Sequence, residues 1–352
     1  MASERRLLKA LVLQGGGALG AFELGAIRVL LDERGFRPDL IAGVSIGAVT
    51  ALLLARPKNG DPLATLEAFW REVAIRADWL IEPLRGYASV FGNPRFYRAR
   101  TDIWQIASWT SIYETGPLRE TLAQLADLEA LADPDAMPRL LVTATDVGAG
   151  QIQAFDSGDG GMTLDHILAS GSLPPSFPMT HFGGRAYWDG GLFDNTPLGE
   201  VIARLDPALA CKAERAVVVV NLFPNEGAVP TDLQQVSQRM MGLTFANKTA
   251  SDLKLLRRFN AVAALLEAIR EDPRWADLEA SEAFTAADKG YIEVPNVVEI
   301  TRSGALQAGA WSDFSPATIA ALAKLGEAAA RTAFEAGVGL PSSGADERAL
   351  AG

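Results

Sequence analysis

A run of three glycines, Gly15-Gly16-Gly17, sits directly behind the apolar stretch Leu8 to Leu13 and ahead of a helical pattern with Phe22, Ile27, Leu30 and Leu31 on one face. A short apolar run stopped by glycines reads as a buried strand, and the spacing after it reads as a helix over 18–33 that Gly35 ends. The unit then repeats: Asp39 to Val44 has the strand pattern, and Ile46 to Ala55 the helical one, with small residues Gly47 and Ala48 for close packing. Two successive strand–loop–helix units predict an α/β fold with a mostly parallel sheet covered by helices on both faces.

Further strands are expected over 139–145, 151–155, 185–188, 215–223 and 296–301. Helices are expected over 163–170, 196–204 and 252–271, and one more opened by Ser315 and Pro316 as N-cap and N1 residues. Residues 84–117 break the pattern. They hold Tyr87, Phe91, Phe96, Tyr97, Trp104, Trp109 and Tyr113 among prolines, glycines and arginines, which suggests an irregular segment rather than a sheet element. It reads either as a lipid-facing cap or lid or as a loop-rich satellite core. No linker divides the chain, so the expectation is one hydrolase-sized domain over 1–340 with its motifs in 8–225 and a helical part over 230–340. A polar, disordered tail is expected over 341–352.

Composition removes several function classes. The net charge of −11 opposes non-specific attraction to nucleic acid and to anionic headgroups, so any membrane contact has to be apolar and local. One cysteine, Cys211, allows no intrachain disulfide, and two histidines, His166 and His181, are too few for an all-histidine metal cage. The basic and apolar N-terminus lacks a small-residue cleavage site, and no apolar stretch is long enough to span a bilayer, which makes the cytoplasm the expected compartment.

The glycine loop supports two readings. Gly15 to Gly20 fits the dinucleotide fingerprint, which also requires an acidic residue at the far end of the next strand; Asp39 has the separation but stands at that strand's beginning. Alternatively, consecutive glycines at a helix N-terminus let backbone N–H groups converge on an oxyanion. Gly43-Val44-Ser45-Ile46-Gly47 is more decisive. It is a G-x-S-x-G sequence at a strand-to-helix junction, where a sharp turn requires Gly43 and Gly47 beside an exposed Ser45. The plain alternative is Ser45 as a helix N-cap. A serine nucleophile needs a base. His166 lies in a helix, where packing or capping is the simpler role, and His181 in a loop. Asp189, behind a short strand and ahead of Gly190 and Gly191, is the stronger candidate, although alone it also fits an Asx turn.

Together, Gly15–Gly20, the elbow around Ser45 and Asp189-Gly190-Gly191 resemble the patatin-like phospholipases in order and spacing. Ser45 follows Gly17 by 28 residues, and Asp189 follows Ser45 by 144. Ala169 to Pro178 is similar to that family's loop ahead of the aspartate, and Asp189 to Pro197 to its continuation, with Asn195 expected as a helix cap. The resemblance spans residues 8–225. It implies a three-layer α/β/α fold and a lipid acyl hydrolase with a Ser45–Asp189 dyad. Ser45 would form an acyl-enzyme, Asp189 would act as general base, and the N–H groups of Gly15, Gly16 and Gly17 would form the oxyanion hole. The implied partner is a phospholipid or other acyl ester, with peripheral membrane contact and no metal or organic cofactor. Asp146, in Thr143 to Asp146, is expected to be structural. Met240, Met241, Leu243 and Phe245 are expected in core packing, with an acyl-pocket lining as the alternative. Two further functions share the motifs: a lipid- or partner-binding protein without turnover, and an acyltransferase.

Overall fold

The computed structural model describes residues 6–76, 88–290, 292–304 and 311–335. The expected tail over 341–352, and Tyr87 with the start of the expected lid, lie outside the described residues. The main sheet is built from β1 (Lys9–Leu13), β2 (Leu40–Gly43), β6 (Arg139–Asp146), β10 (Ala216–Asn221) and β11 (Asn296–Thr301), in the order β11-β10-β1-β2-β6 and all parallel. Beyond β6 the sheet turns antiparallel through β9 (Arg185–Asp189) and β8 (Thr180–Phe182), and β7 (Gln151–Asp156) also pairs antiparallel with β6. The strand over 296–301 falls where its sequence places it, so 230–340 is not wholly helical: β11 forms the sheet edge.

Side-chain alternation divides the strands into two buried faces. Leu11, Leu13, Ile41, Val142, Val218 and Val220 face one core, which is closed by α1 (Ala21–Arg28), α2 (Ile46–Ala55), α3 (Pro62–Glu72) and α8 (Pro316–Glu335). Ala10, Val12, Leu40, Ala42, Val217 and Val219 face the other, closed by α6 (Leu198–Ile202) and α7 (Leu233–Glu271). Strands buried on both sides read as continuous apolar runs, which is why Val217 to Val220 was so legible. This is the three-layer α/β/α arrangement. The helix expected over 252–271 begins much earlier, at Leu233, where the Asp232 carboxylate accepts from the Gln235 amide at 2.8 Å.

Residues 88–115 correct the expectation of an irregular segment. They form a separate antiparallel sheet of β3 (Gly92–Asn93), β4 (Tyr97–Ala99) and β5 (Tyr113–Glu114), with 3₁₀ turns at 88–91 and 103–108. The strands are too short to carry a period-2 signal, so aromatic packing decides the shape instead. Tyr97, Tyr113 and Phe177 pack mutually in edge-on and tilted contacts, with ring centroids 4.8–6.3 Å apart. α4 (Gly116–Leu125) then leads back to the main body.

Helices α1 and α8 cross at glycines. A methyl group on Gly25 would stand 1.8 Å from the Ala323 carbonyl oxygen, and one on Gly326 would stand 2.0 Å from that of Phe22. An alanine in a helix gains about 1 kcal/mol in propensity over glycine, but backbone cannot yield to such contacts cheaply, and overpacking costs about 1–3 kcal/mol or more. The clash prevails, so Gly326→Ala should lower unfolding stability by about 2 kcal/mol, read as a fall in the urea midpoint at unchanged slope.

α1 also buries a carboxyl group. Glu23 is fully enclosed, accepts from the Thr50 hydroxyl at 2.8 Å and is pushed up to about 8 by loss of solvation. Its folded pKa exceeds its unfolded value, so folding is favoured by this group at low pH, and that advantage drains away as pH rises to about 8. Glu23→Gln should flatten the decline in melting temperature between pH 5 and 8, without removing the smaller decline contributed by buried Asp189, which ends near 7.

Candidate active site

The site lies where the parallel strands end. Register places it: Gly43 on β2 pairs with Val142 on β6, and Ala144 on β6 pairs with Asp189 on β9. Ser45 is two residues beyond Gly43 and Asp189 is level with a point two residues beyond Val142, so the two side chains meet at one height on the sheet's carboxyl edge. The Ser45 hydroxyl lies close enough to the Asp189 carboxyl to favour its ionised form, and both line one cavity.

The elbow is fixed by close backbone approach. A methyl group on Gly43 would meet the Gly47 carbonyl oxygen at 2.2 Å, and one on Gly47 would meet that of Leu13 at 2.4 Å. Packed this tightly, the turn forces Ser45 to φ 55°, the one positive φ outside glycine among the described residues. The Ser45 side chain makes no capping hydrogen bond to α2, which removes the N-cap reading. Its amide instead donates to the Ser170 hydroxyl at 3.0 Å, at the end of α5 (Leu164–Ser170).

Asp189 is buried. Loss of solvation pushes its carboxyl up to about 7 against the opposing effects of the Ser45 hydroxyl and of the Gly191 amide, whose nitrogen lies 2.7 Å from Oδ1. The two glycines after it are required sterically: a side chain on Gly190 would meet the Thr143 carbonyl oxygen at 2.5 Å, and one on Gly191 the Asn195 Oδ1 at 2.7 Å.

The glycine loop faces Ser45. A methyl group on Gly15 would lie 3.0 Å from Ser45 Cβ, and one on Gly16 would strike Leu222 at 2.7 Å. Gly17 has φ 59°, and a methyl group there would meet the Trp311 carbonyl oxygen at 2.4 Å. That same oxygen accepts from the Ala18 amide at 2.8 Å. Asn195 is not a helix cap. It is buried here, and its Nδ2 donates to the Gly15 carbonyl at 3.0 Å. In a trans peptide the carbonyl and the following N–H point in opposite directions, so this bond also orients the Gly16 amide. The neighbouring Gln14, fully buried, donates to Thr196, Phe245 and Thr249 and accepts from the Leu222 and Phe223 amides. Sequence reading passed over Gln14 and misassigned Asn195. The available signals were an amide side chain between an apolar strand and a glycine loop, and another six residues after Asp189.

A cavity of about 370 Å³ opens over Ser45, Asp189 and Gly15 to Gly17. Its walls are apolar and include Phe96, Tyr97, Phe177, Met241, Phe245 and Phe314. The loop over 169–178 forms one wall through Leu173 to Phe177, so part of the aromatic segment and part of α7 meet at the same space. Met241 and Phe245 do line this cavity, whereas Met240 and Leu243 are exposed.

The remaining candidates fall elsewhere. His166 accepts from the Thr163 amide in a capping box and packs on Phe155 and Phe182. His181 is exposed on β8. Asp146 accepts from the Ala149 amide at 2.9 Å and pairs with Arg185. Asp39 accepts from the Leu8 and Lys9 amides at the opposite edge of the sheet, away from the glycine loop, so the dinucleotide reading loses its ribose-binding carboxylate. Among the described residues no group of acidic, histidine and cysteine side chains is arranged to hold a metal, and no helix is long and apolar enough to cross a membrane.

Residues 11–202 match the family model described as patatin-like phospholipase. The chain is 28% identical over 211 residues to the cGAMP-activated phospholipase of Vibrio cholerae, which covers 54% of this chain and 55% of that protein. It is 28% identical over 199 residues to the lysophospholipase NTE1 of Saccharomyces cerevisiae, covering 55% of this chain and 10% of that one. The chain therefore spans about half of the first relative and a small part of the second. Among solved structures, VipD from Legionella pneumophila aligns over 94% of this chain and 67% of its own at 14% identity, with a TM-score of 0.39. With the family model covering more than half of its length, the chain belongs to the patatin-like phospholipases.

Proposed function

We propose that this protein is a lipid acyl hydrolase that cleaves carboxylic esters through a Ser45 acyl-enzyme, with Asp189 as general base. The observation that carries this reading is the juxtaposition of a strained, partly exposed serine and a buried carboxylate at one apolar cavity. The ester enters with its acyl chain along the aromatic wall of Phe96, Phe177 and Phe314. Ser45 Oγ attacks the carbonyl carbon while Asp189 takes its proton, and the alcohol leaves with that proton. Water, deprotonated in turn by Asp189, then releases the acid and restores the serine. The amides of Gly15, Gly16 and Gly17 hold the oxyanion, each such donor being worth roughly 3 kcal/mol, and Asn195 orients that of Gly16 through the Gly15 carbonyl.

A carboxylate with an ordinary pKa would be ionised at neutral pH but a weak base. Burial strengthens it: with the pKa near 7, the group is still half ionised at neutrality and basic enough to accept the serine proton. Only the ionised form is the base, so the acylation rate should rise with pH and level off above about 7. A plateau reached by pH 5 would mean that Asp189 is not the titrating base.

A fluorophosphonate probe should label Ser45, mapped by peptide mass spectrometry. Ser45→Ala and Asp189→Asn should each lower single-turnover acylation by at least about a thousandfold, because the pair acts as a unit. His166→Ala and His181→Ala should retain it. A folded histidine variant without acylation, alongside an active Asp189→Asn, would overturn the assignment.

The strain at Ser45 gives an independent check. A non-glycine residue at positive φ costs roughly 1–3 kcal/mol, glycine loses about 0.5–1 kcal/mol in chain entropy, and no capping bond is at stake. Ser45→Gly should therefore be inactive yet melt no lower than the wild type.

A further inference from the structure

The cavity mouth is bordered on two sides by apolar side chains that are exposed among the described residues. On one side Val90 lines the cavity, and the adjoining Phe91 is 75% exposed. The Val90 carbonyl accepts from the Tyr113 hydroxyl, and the Ile112 amide donates to Pro175 on the cavity wall. These bonds hold the small antiparallel sheet at the mouth. Between β4 and β5 the same sheet carries the 3₁₀ turn with Ile103, Trp104 and Ile106, of which Trp104 is 77% exposed. On the other side Met241 and Phe245 line the cavity from α7. The preceding turns of that helix expose Leu233, Val236, Met240 and Leu243, with Leu233 86% and Met240 61% accessible. Their spacing of three, four and three residues places them in one stripe.

Charge is sparse along both borders. Residues 103–113 contain no charged side chain, and from Leu233 to Asn247 the only one is Arg239, whose guanidinium donates to the Asn225 carbonyl. Arg95, Arg98 and Arg100, on or beside the small sheet, are paired with Glu72, Glu114 and Asp102. This is unusual in a chain with 21% charged residues and a net charge of −11. Exposed apolar area of this extent marks an interaction site. Tryptophan and phenylalanine beside leucine are side chains that settle at a lipid–water boundary.

We propose that this apolar rim seats the protein on the surface of a phospholipid bilayer, with the cavity mouth facing the lipid. The proposal rests on the acyl hydrolase reading for its choice of occupant. The continuity of the rim with an apolar cavity favours lipid over a second copy of the chain, because a flat dimer contact would close the mouth. The acidic balance elsewhere means that attraction is apolar and local, so zwitterionic lipid suffices and salt has little effect.

The test is co-sedimentation of the full chain with phosphatidylcholine vesicles, with hydrolysis of a soluble short-chain ester measured in parallel. The wild type should pellet with the vesicles to the same extent in low and high salt, and no better when phosphatidylglycerol is added. Phe91→Ser with Trp104→Ser, and separately Leu233→Ser with Met240→Ser, should each weaken partition by about tenfold or more, leaving turnover of the soluble ester unchanged. A wild type that hydrolyses the soluble ester but stays in the supernatant would overturn the docking proposal, as would rim variants that pellet undiminished. Self-association abolished by the same substitutions, without vesicle binding, would assign the rim to a second copy and equally overturn it. A wild type that pellets but turns over no ester would instead refute the hydrolase reading and leave the surface assignment standing.

Discussion

The contact of Gly47 against the last carbonyl of β1 governs the rest of the site. With a methyl group excluded at 2.4 Å from Leu13 O, α2 starts almost on top of the neighbouring strand, and the turn before it has no room for a relaxed geometry. Ser45 takes the positive φ, its hydroxyl is lifted off the sheet edge, and β9 meets it from the other side with Asp189. The meeting of Ser45 and Asp189 is thus a product of backbone packing before it is a product of side-chain chemistry. Strain is retained because the glycines on both sides leave no competing arrangement.

Burial then supplies what the geometry alone cannot. Asp189 is the last residue of an antiparallel strand and is buried, and its elevated pKa follows from that burial, not from a neighbouring negative charge. In the proposed mechanism, a single carboxylate held in this way takes the place of a histidine–carboxylate couple. Both histidines are committed elsewhere, one to capping and aromatic packing and the other to the surface.

Much of this was legible in the chain because it rests on local rules. Apolar runs marked the parallel strands, and glycine spacing marked the elbow and the loop. Ser45, Asp189 and the three loop glycines, singled out from the sequence, come together at one cavity. What escaped depends on contacts between distant segments. Asn195 has the sequence look of a cap, yet its bond to Gly15 spans 180 positions. The strands at 92–93, 97–99 and 113–114 are two or three residues long, and aromatic edge contacts rather than any periodicity accompany their pairing. The early turns of α7 expose their apolar stripe to solvent, so the usual link between an amphipathic pattern and a core fails there. Trp311 and Phe314, which complete the cavity wall, follow β11 and lie far beyond the motif-bearing region.

Gln14 sets a limit on modularity. Its amide is satisfied by Thr196, by Phe245 and Thr249 on α7, and by the amides that follow β10, so one side chain beside the glycine loop depends on groups up to 235 positions away. The family-matched stretch ends at residue 202, short of four of these five partners. The recognisable motifs are therefore not a transplantable unit: the first half of α7 must travel with the glycine loop that it braces.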